Sequence, residues 1–162
     1  MEICLFQPDI PDNVGLVIRT MACIGVQQIR VVMPTGFVFD VRETRRKSLD
    51  YADKISIIKN RDFTHLKEDI GEYVSQGKKV PRLVLLTTKT NIFYDEFEFM
   101  DDDILIVGNE SRGVTDEVCE YVTHKVKIPM ADGCRSINMA VSASIVASEA
   151  MRQCRARRNP SR

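Results

Sequence analysis

Three short stretches hold most of the side chains capable of chemistry. Gly108-Asn-Glu110-Ser-Arg-Gly113 sets an acid and an arginine between two glycines with no bulky apolar residue among them, the composition of a loop whose backbone approaches a ligand closely. Ile128-Pro129-Met130 leads through the polar turn Ala-Asp-Gly-Cys to Arg135-Ser136-Ile-Asn138. Near the start of the chain, Gly15 and Arg19 stand four residues apart, so on a helix a glycine gap and an arginine share one face. A surface arginine on an amphipathic helix is the plain alternative for Arg19. Glycines, backbone groups, one acid and arginines from separate segments suit an uncharged nucleoside moiety together with a phosphate-bearing substrate. Neither G-x-G-x-x-G after the first strand nor G-x-x-x-x-G-K-[ST] occurs, which disfavours a pyrophosphate cofactor. His65 and His124 have no promising serine or cysteine beside them, so a hydrolase triad has weak support.

The elements that must position these residues follow from apolar patterning. Residues 3–6 and 28–32 read as strands around a helix with apolar positions at Val14, Val17, Ile18 and Met21. Asn13 is placed to N-cap that helix and Gly25 to stop it. This is a parallel crossover. Residues 55–58 and 83–86 read as further strands, with a helix from Phe63 to about Gly77 between them, and Thr87-Thr88-Lys89 forms a loop at a strand end. Residues 104–107 and 124–128 are the strands that lead into the two loops described first, and Thr115 caps a short helix between them. In such a sheet, ligands sit beyond the carboxyl ends of the strands. A last helix, from about Ser136 to Arg152, carries small residues on nearly all sides, fit for close approach of a helix in the same subunit or in another.

The 162 residues suffice for one domain with a real core, and 23 basic against 23 acidic residues leave no global charge to draw a polyanion. Any nucleic-acid surface must be local. The run containing Arg42, Arg45, Arg46 and Lys47, with Phe37, Phe39 and Tyr51 nearby, is either a solvated helix face or a grip on phosphates and unstacked bases. The acids of 95–103, with Phe97 and Phe99 among them, read as a solvated connector; consecutive carboxylates do not converge as metal ligands, so no metal is expected. Five cysteines without a C-x-x-C pair indicate a reducing compartment. No leader or membrane-spanning run is read, and a cytoplasmic protein is expected.

Asn13-x-Gly15-x-x-x-Arg19, Gly108-x-Glu110-x-x-Gly113 and Ile128-Pro129-Met130 with Ser136-x-Asn138 resemble, in order, the three motifs of the SPOUT class of RNA 2′-O-methyltransferases. Pro8-x-Ile10-Pro11, Pro34-x-Gly36-Phe37, Arg45-Arg46-x-x-Leu49-Asp50-Tyr51 and Leu86-Thr87-Thr88-Lys89 extend the likeness, over nearly the whole chain, to its small bacterial members that act on the wobble nucleotide of tRNA-Leu. The resemblance implies an α/β fold: a Rossmann-like parallel sheet with helices on both faces and a C-terminal trefoil knot. It implies one domain over residues 1–154 with a basic tail at 155–162, a homodimer, and S-adenosylmethionine as cofactor. By the same resemblance Leu86, Gly108, Ile128 and Ser136 contact the cofactor, while Asn13, Arg19, Glu110 and Asn138 belong to the catalytic site or its support. Arg42, Arg45 and Arg46 are the expected contacts to the tRNA anticodon loop, with the tail arginines beside them. For Glu110 a purely structural role, pairing Arg19 to hold the loop, stands beside a chemical one. The expected reaction is 2′-O-methylation of nucleotide 34, cytidine or modified uridine. A related rRNA methyltransferase and a catalytically silent RNA-binding module are the alternatives.

Overall fold

Residues 3–6 are apolar without interruption, as a strand must be when both its faces are covered. In the computed structural model, which describes residues 1–40 and 51–159, β1 (Glu2–Phe6) is such a strand. Its side chains alternate between two cores. Ile3 and Leu5 join a cluster with α1 (Pro11–Ile24) and α4 (Met139–Arg158). Cys4 and Phe6 join another with α2 (Phe63–Ser75) and α3 (Asp116–Tyr121). Helices therefore cover both faces, as expected. Each Ile or Leu fully buried in these layers contributes about 1.5–3 kcal/mol.

The remaining strands are β2 (Gln28–Val32), β3 (Ser56–Asn60), β4 (Leu83–Leu86), β5 (Ile104–Val107) and β6 (His124–Val126). Together they form a parallel six-stranded sheet ordered β3-β2-β1-β5-β4-β6. The chain starts at the centre, moves outward through β2 and β3, then crosses to the other half. That reversal places the loops after β1 and β5 side by side, the crevice where open α/β sheets hold ligands.

Several local readings hold and several shift. Gly25 ends α1 in the left-handed region at φ 92°, and Thr115 caps α3. The strand expected at 124–128 stops at Val126, with Lys127 adding an isolated bridge to Phe93. Asn13 is not the N-cap of α1. Ile10 holds that position without a side-chain cap, and Pro11 opens the helix, where its fixed φ and missing N–H cost nothing. The last helix starts at Met139 and runs to Arg158, so residues 155–158 of the basic stretch are helical. Its Ala140, Ala143, Ala147 and Ala150 are buried in the cluster shared with α1, so this small-residue face serves a contact inside the subunit.

The acidic connector is not wholly solvated. Asp103 is fully buried, with its carboxylate paired in two bonds of 2.7 Å to Arg82 and accepting from the Met100 N–H. On the α2 face of the sheet, Arg30 is buried between Glu2 at 2.7 Å and Asp69 at 2.8 Å. Burial works against its charge, but the bonds to the two carboxylates outweigh it and the pKa rises.

Candidate active site

Beyond the carboxyl ends of β4, β5 and β6 lies a cavity of about 550 Å³, within the range of small-molecule sites. Its deep wall is apolar, with Leu85, Leu86, Val107, Ile137 and Met139, and its rim is built from the loops after the three strands together with Ile10 and Asn13 of the α1 start. Seven of the eight residues expected to hold the cofactor or serve catalysis line it: Leu86, Gly108, Ile128, Ser136, Asn13, Glu110 and Asn138.

The loop after β5 is shaped by a residue that the sequence reading passed over. Asn109, almost fully buried, accepts from the N–H groups of Ser111 and Arg112 through Oδ1 at 2.9 and 3.0 Å. Its Nδ2 donates to the Gln7 carbonyl, tying the β5 loop to the β1 loop. The available signal was the type: asparagine readily binds its own backbone two and three residues on. Backbone bonds between Asn109 and Gly113 in both directions close the loop. A Cβ on Gly108 would stand 2.7 Å from the Gly113 carbonyl carbon, and Gly113 itself has φ 71°. The glycines thus let the loop fold on itself; Gly108 is small because of Gly113.

Glu110 then points back at the start of α1. Its carboxylate accepts from the Asp9 N–H at 2.7 Å, the Ile10 N–H at 3.3 Å and Asn13 Nδ2 at 2.9 Å. It supplies the acceptor that Ile10 lacks, and the positive end of α1 favours its charge by about 0.3–1 kcal/mol. Asn13 Oδ1 in turn accepts from Asn138 Nδ2 at 3.0 Å, while Asn138 Oδ1 caps α4 by accepting from Ala140 and Val141 N–H. Among the described residues the partner of Glu110 is therefore Asn13, and the Glu110–Arg19 pair anticipated as its structural role is absent.

Arg19 is not at this cavity. It lies on the exposed side of α1, with its guanidinium 5.7 Å from the Tyr51 ring centroid, and Lys54 sits against the same ring at 5.6 Å. Arg42, Arg45 and Arg46 lie outside the described residues. Of the arginines at the chain end, Arg157 and Arg158 bind Asp101 at 3.1 and 2.9 Å and Arg152 binds Glu149 at 2.8 Å, while Arg162 lies outside the described residues. Asp101 lies beyond the amino end of β5, opposite the cavity, so within one subunit this group of arginines does not face the site. Among the described residues no three or more His, Cys, Asp or Glu side chains are grouped to hold a metal ion.

A family model described as SpoU rRNA methylase matches residues 1–148. The chain belongs to the SpoU methylase family. Among SpoU-like relatives, the tRNA (cytidine(34)-2′-O)-methyltransferase of Beijerinckia indica is 39% identical over 93% of this chain and 90% of its own. The enzyme of the same name from Escherichia coli K12 is 31% identical over 94% and 93%. A solved structure described as giving insights into the 2-OH methylation of C/U34 on tRNA is 30% identical, covers 95% of both chains and superposes with a TM-score of 0.83. The SpoU methyltransferase AviRb of Streptomyces viridochromogenes, solved with AdoMet, shares the fold at TM-score 0.86 with 22% identity, covering 96% of this chain and 61% of its own.

Proposed function

We propose that this SpoU-family chain is an S-adenosylmethionine-dependent tRNA 2′-O-methyltransferase that modifies the ribose of the wobble nucleotide, cytidine or modified uridine 34. The observation that carries the reading is the hydrogen-bonded series Glu110, Asn13, Asn138. It joins the three motif segments around one nucleoside-sized cavity, and the relatives named for this reaction match nearly the full chain.

Leu86, Gly108, Ile128 and Ser136 would hold the cofactor, whose apolar-walled cavity fits an uncharged nucleoside. When bound, S-adenosylmethionine supplies an activated methyl group. The chain then has to align a ribose 2′-oxygen and ease loss of its proton. Glu110 is poorly placed to take that proton, because both its oxygens already accept hydrogen bonds. Asn13, Glu110 and Asn138 therefore act as positioning residues that set the loop and the two helix starts. A guanidinium is a poor base, so Arg19 suits orientation of the ribose or its phosphate. Its distance from its own cavity fits a site completed by a second subunit.

The same reading includes a homodimer, a single domain over 1–154 with the basic extension 155–162, and a C-terminal trefoil knot. Support for the knot is the path of the chain: after β5 it crosses to the far side of β4, where β6 forms the sheet edge, and α4 then returns to α1, where ordinary connection rules allow few routes. No helix among the described residues is long and apolar enough to cross a membrane, and the proposed compartment is the cytoplasm.

The test is transfer of labelled methyl from S-adenosylmethionine to purified tRNA, with rRNA in parallel because the family description names it, followed by mapping of the product. Label at the ribose of nucleotide 34 is the expected result; transfer to rRNA alone, or to neither, overturns the reading.

A further inference from the structure

We propose that Lys89, Arg112 and Arg135 form the phosphate-binding rim of this cavity and grip the RNA backbone around the nucleotide whose ribose enters it. The inference rests on the tRNA reading above and names the groups that hold the substrate there. One cation comes from each loop: Lys89 follows β4, Arg112 follows β5 and Arg135 follows β6, and all three line the cavity from exposed positions.

Their partners leave them available. Among the described residues Lys89 and Arg135 have no ion-pair partner, and Arg112, with its side chain 74% exposed, reaches Asp9 only at 3.9 Å, a surface pair of little worth. Asp132, exposed in the same loop as Arg135, is the opposing charge on that side. The chain has no net charge to attract a polyanion, so a local cluster must do so. Within one subunit the arginines near the chain end do not serve, because α4 starts at the cavity and carries them away at about 1.5 Å per residue, with Arg157 and Arg158 paired to Asp101.

The chemistry of the ligands decides which one the rim serves. S-adenosylmethionine carries a sulfonium and an ammonium against one carboxylate, so three surrounding cations offer it little. Successive phosphates of an RNA strand carry one negative charge each and match three cations spread over three loops. The apolar wall takes the nucleoside, and the cationic rim takes the strand.

The experiment compares the full chain with its Lys89→Gln/Arg112→Gln/Arg135→Gln form, measuring affinity for purified tRNA by filter binding over a salt series and S-adenosylmethionine affinity by calorimetry. Thermal melting checks that both are folded. The variant should bind tRNA more weakly, with a slope of log affinity against log salt shallower by about 2, roughly 0.7 per lost contact to a single strand. Its cofactor affinity should be unchanged. A conservative form with Arg112→Lys and Arg135→Lys, which keeps the charge, should retain the wild-type slope. An unchanged slope in the triple variant overturns the rim while wild-type methylation leaves the functional reading standing. Lost cofactor affinity with intact tRNA binding reassigns the cations to the cofactor carboxylate. A wild-type chain that neither binds nor methylates tRNA removes both proposals.

Discussion

Asn138 donates through Nδ2 to Asn13 Oδ1 at 3.0 Å, joining side chains 125 positions apart in sequence. Because Asn13 also donates to Glu110 and Asn138 also caps α4, one amide-to-amide bond couples the start of two helices to the β5 loop. Removing Asn13 takes the acceptor from Asn138 Nδ2 and one donor from Glu110, and removing Asn138 takes the donor from Asn13 Oδ1 and the cap from α4, so the two positions should behave as one unit.

Asn13→Ala is expected to destabilise the fold by about 1–3 kcal/mol, the cost of leaving buried polar groups unsatisfied. Combined with Asn138→Ala in a double-mutant cycle by urea denaturation, it should give a coupling of about 0.5–3 kcal/mol. Strict additivity would show that the bond is not an energetic link.

Gly108→Ala places a Cβ 2.7 Å from the Gly113 backbone, so the loop has to move. A stability loss of about 1–3 kcal/mol should accompany weaker S-adenosylmethionine binding by calorimetry. Gly113→Ala meets nothing within 4 Å but has φ 71°, and should cost about 1–2 kcal/mol from backbone strain alone. Equal, negligible effects at both sites would contradict this account of the loop.

On the proposed two-subunit site, Arg19→Ala and Gly108→Ala damage different halves of the same active centre. Each alone should be nearly inactive. Mixed after dissociation and reassociation, they should regain about a quarter of wild-type activity, since half the dimers are then mixed and each holds one intact site. Dilution of the wild type should lower specific activity. No recovery on mixing, with dimers confirmed by light scattering, would place Arg19 outside the site.

Asp101 provides a pH-dependent clasp at the other end of the molecule. A hydrogen bond from Cys154, then those from Arg158 and Arg157, outweigh its partial burial and hold its pKa at about 2 against an ordinary 3.8. A carboxylate depressed on folding stabilises above its unfolded value and loses that contribution as pH falls through the folded one. Asp101→Asn should therefore melt below wild type at neutral pH, and the gap should close between about pH 4 and pH 2. A gap independent of pH over that window would show that the charge does not matter.

Local chemistry was legible in the sequence wherever neighbours along the chain decide it. Gly25 stops α1, Thr115 caps α3, and the apolar run at 3–6 becomes a strand buried on both faces. The three motif segments were recognisable because residue types at short spacings survive without knowledge of the fold, and seven of the eight anticipated site residues line one cavity. Where a side chain had a choice of distant partners, the sequence was silent or misleading. Asn13 carries the type of an N-cap, yet its amide turns to Glu110 and Asn138, because Glu110 arrives from the neighbouring loop to serve the helix start instead. Asp103 looks like one more solvated acid until Arg82 is brought beside it, and the arginines at the chain end look free until Asp101 takes them. Strand order belongs to the same class. Hydrophobic period reports that a segment is buried, but which strand lies beside it is settled by the crossovers, and those set the loops after β1 and β5 together. Only tertiary structure can decide such pairings, since a hydrogen bond or ion pair across a hundred residues depends on distances that no local pattern encodes.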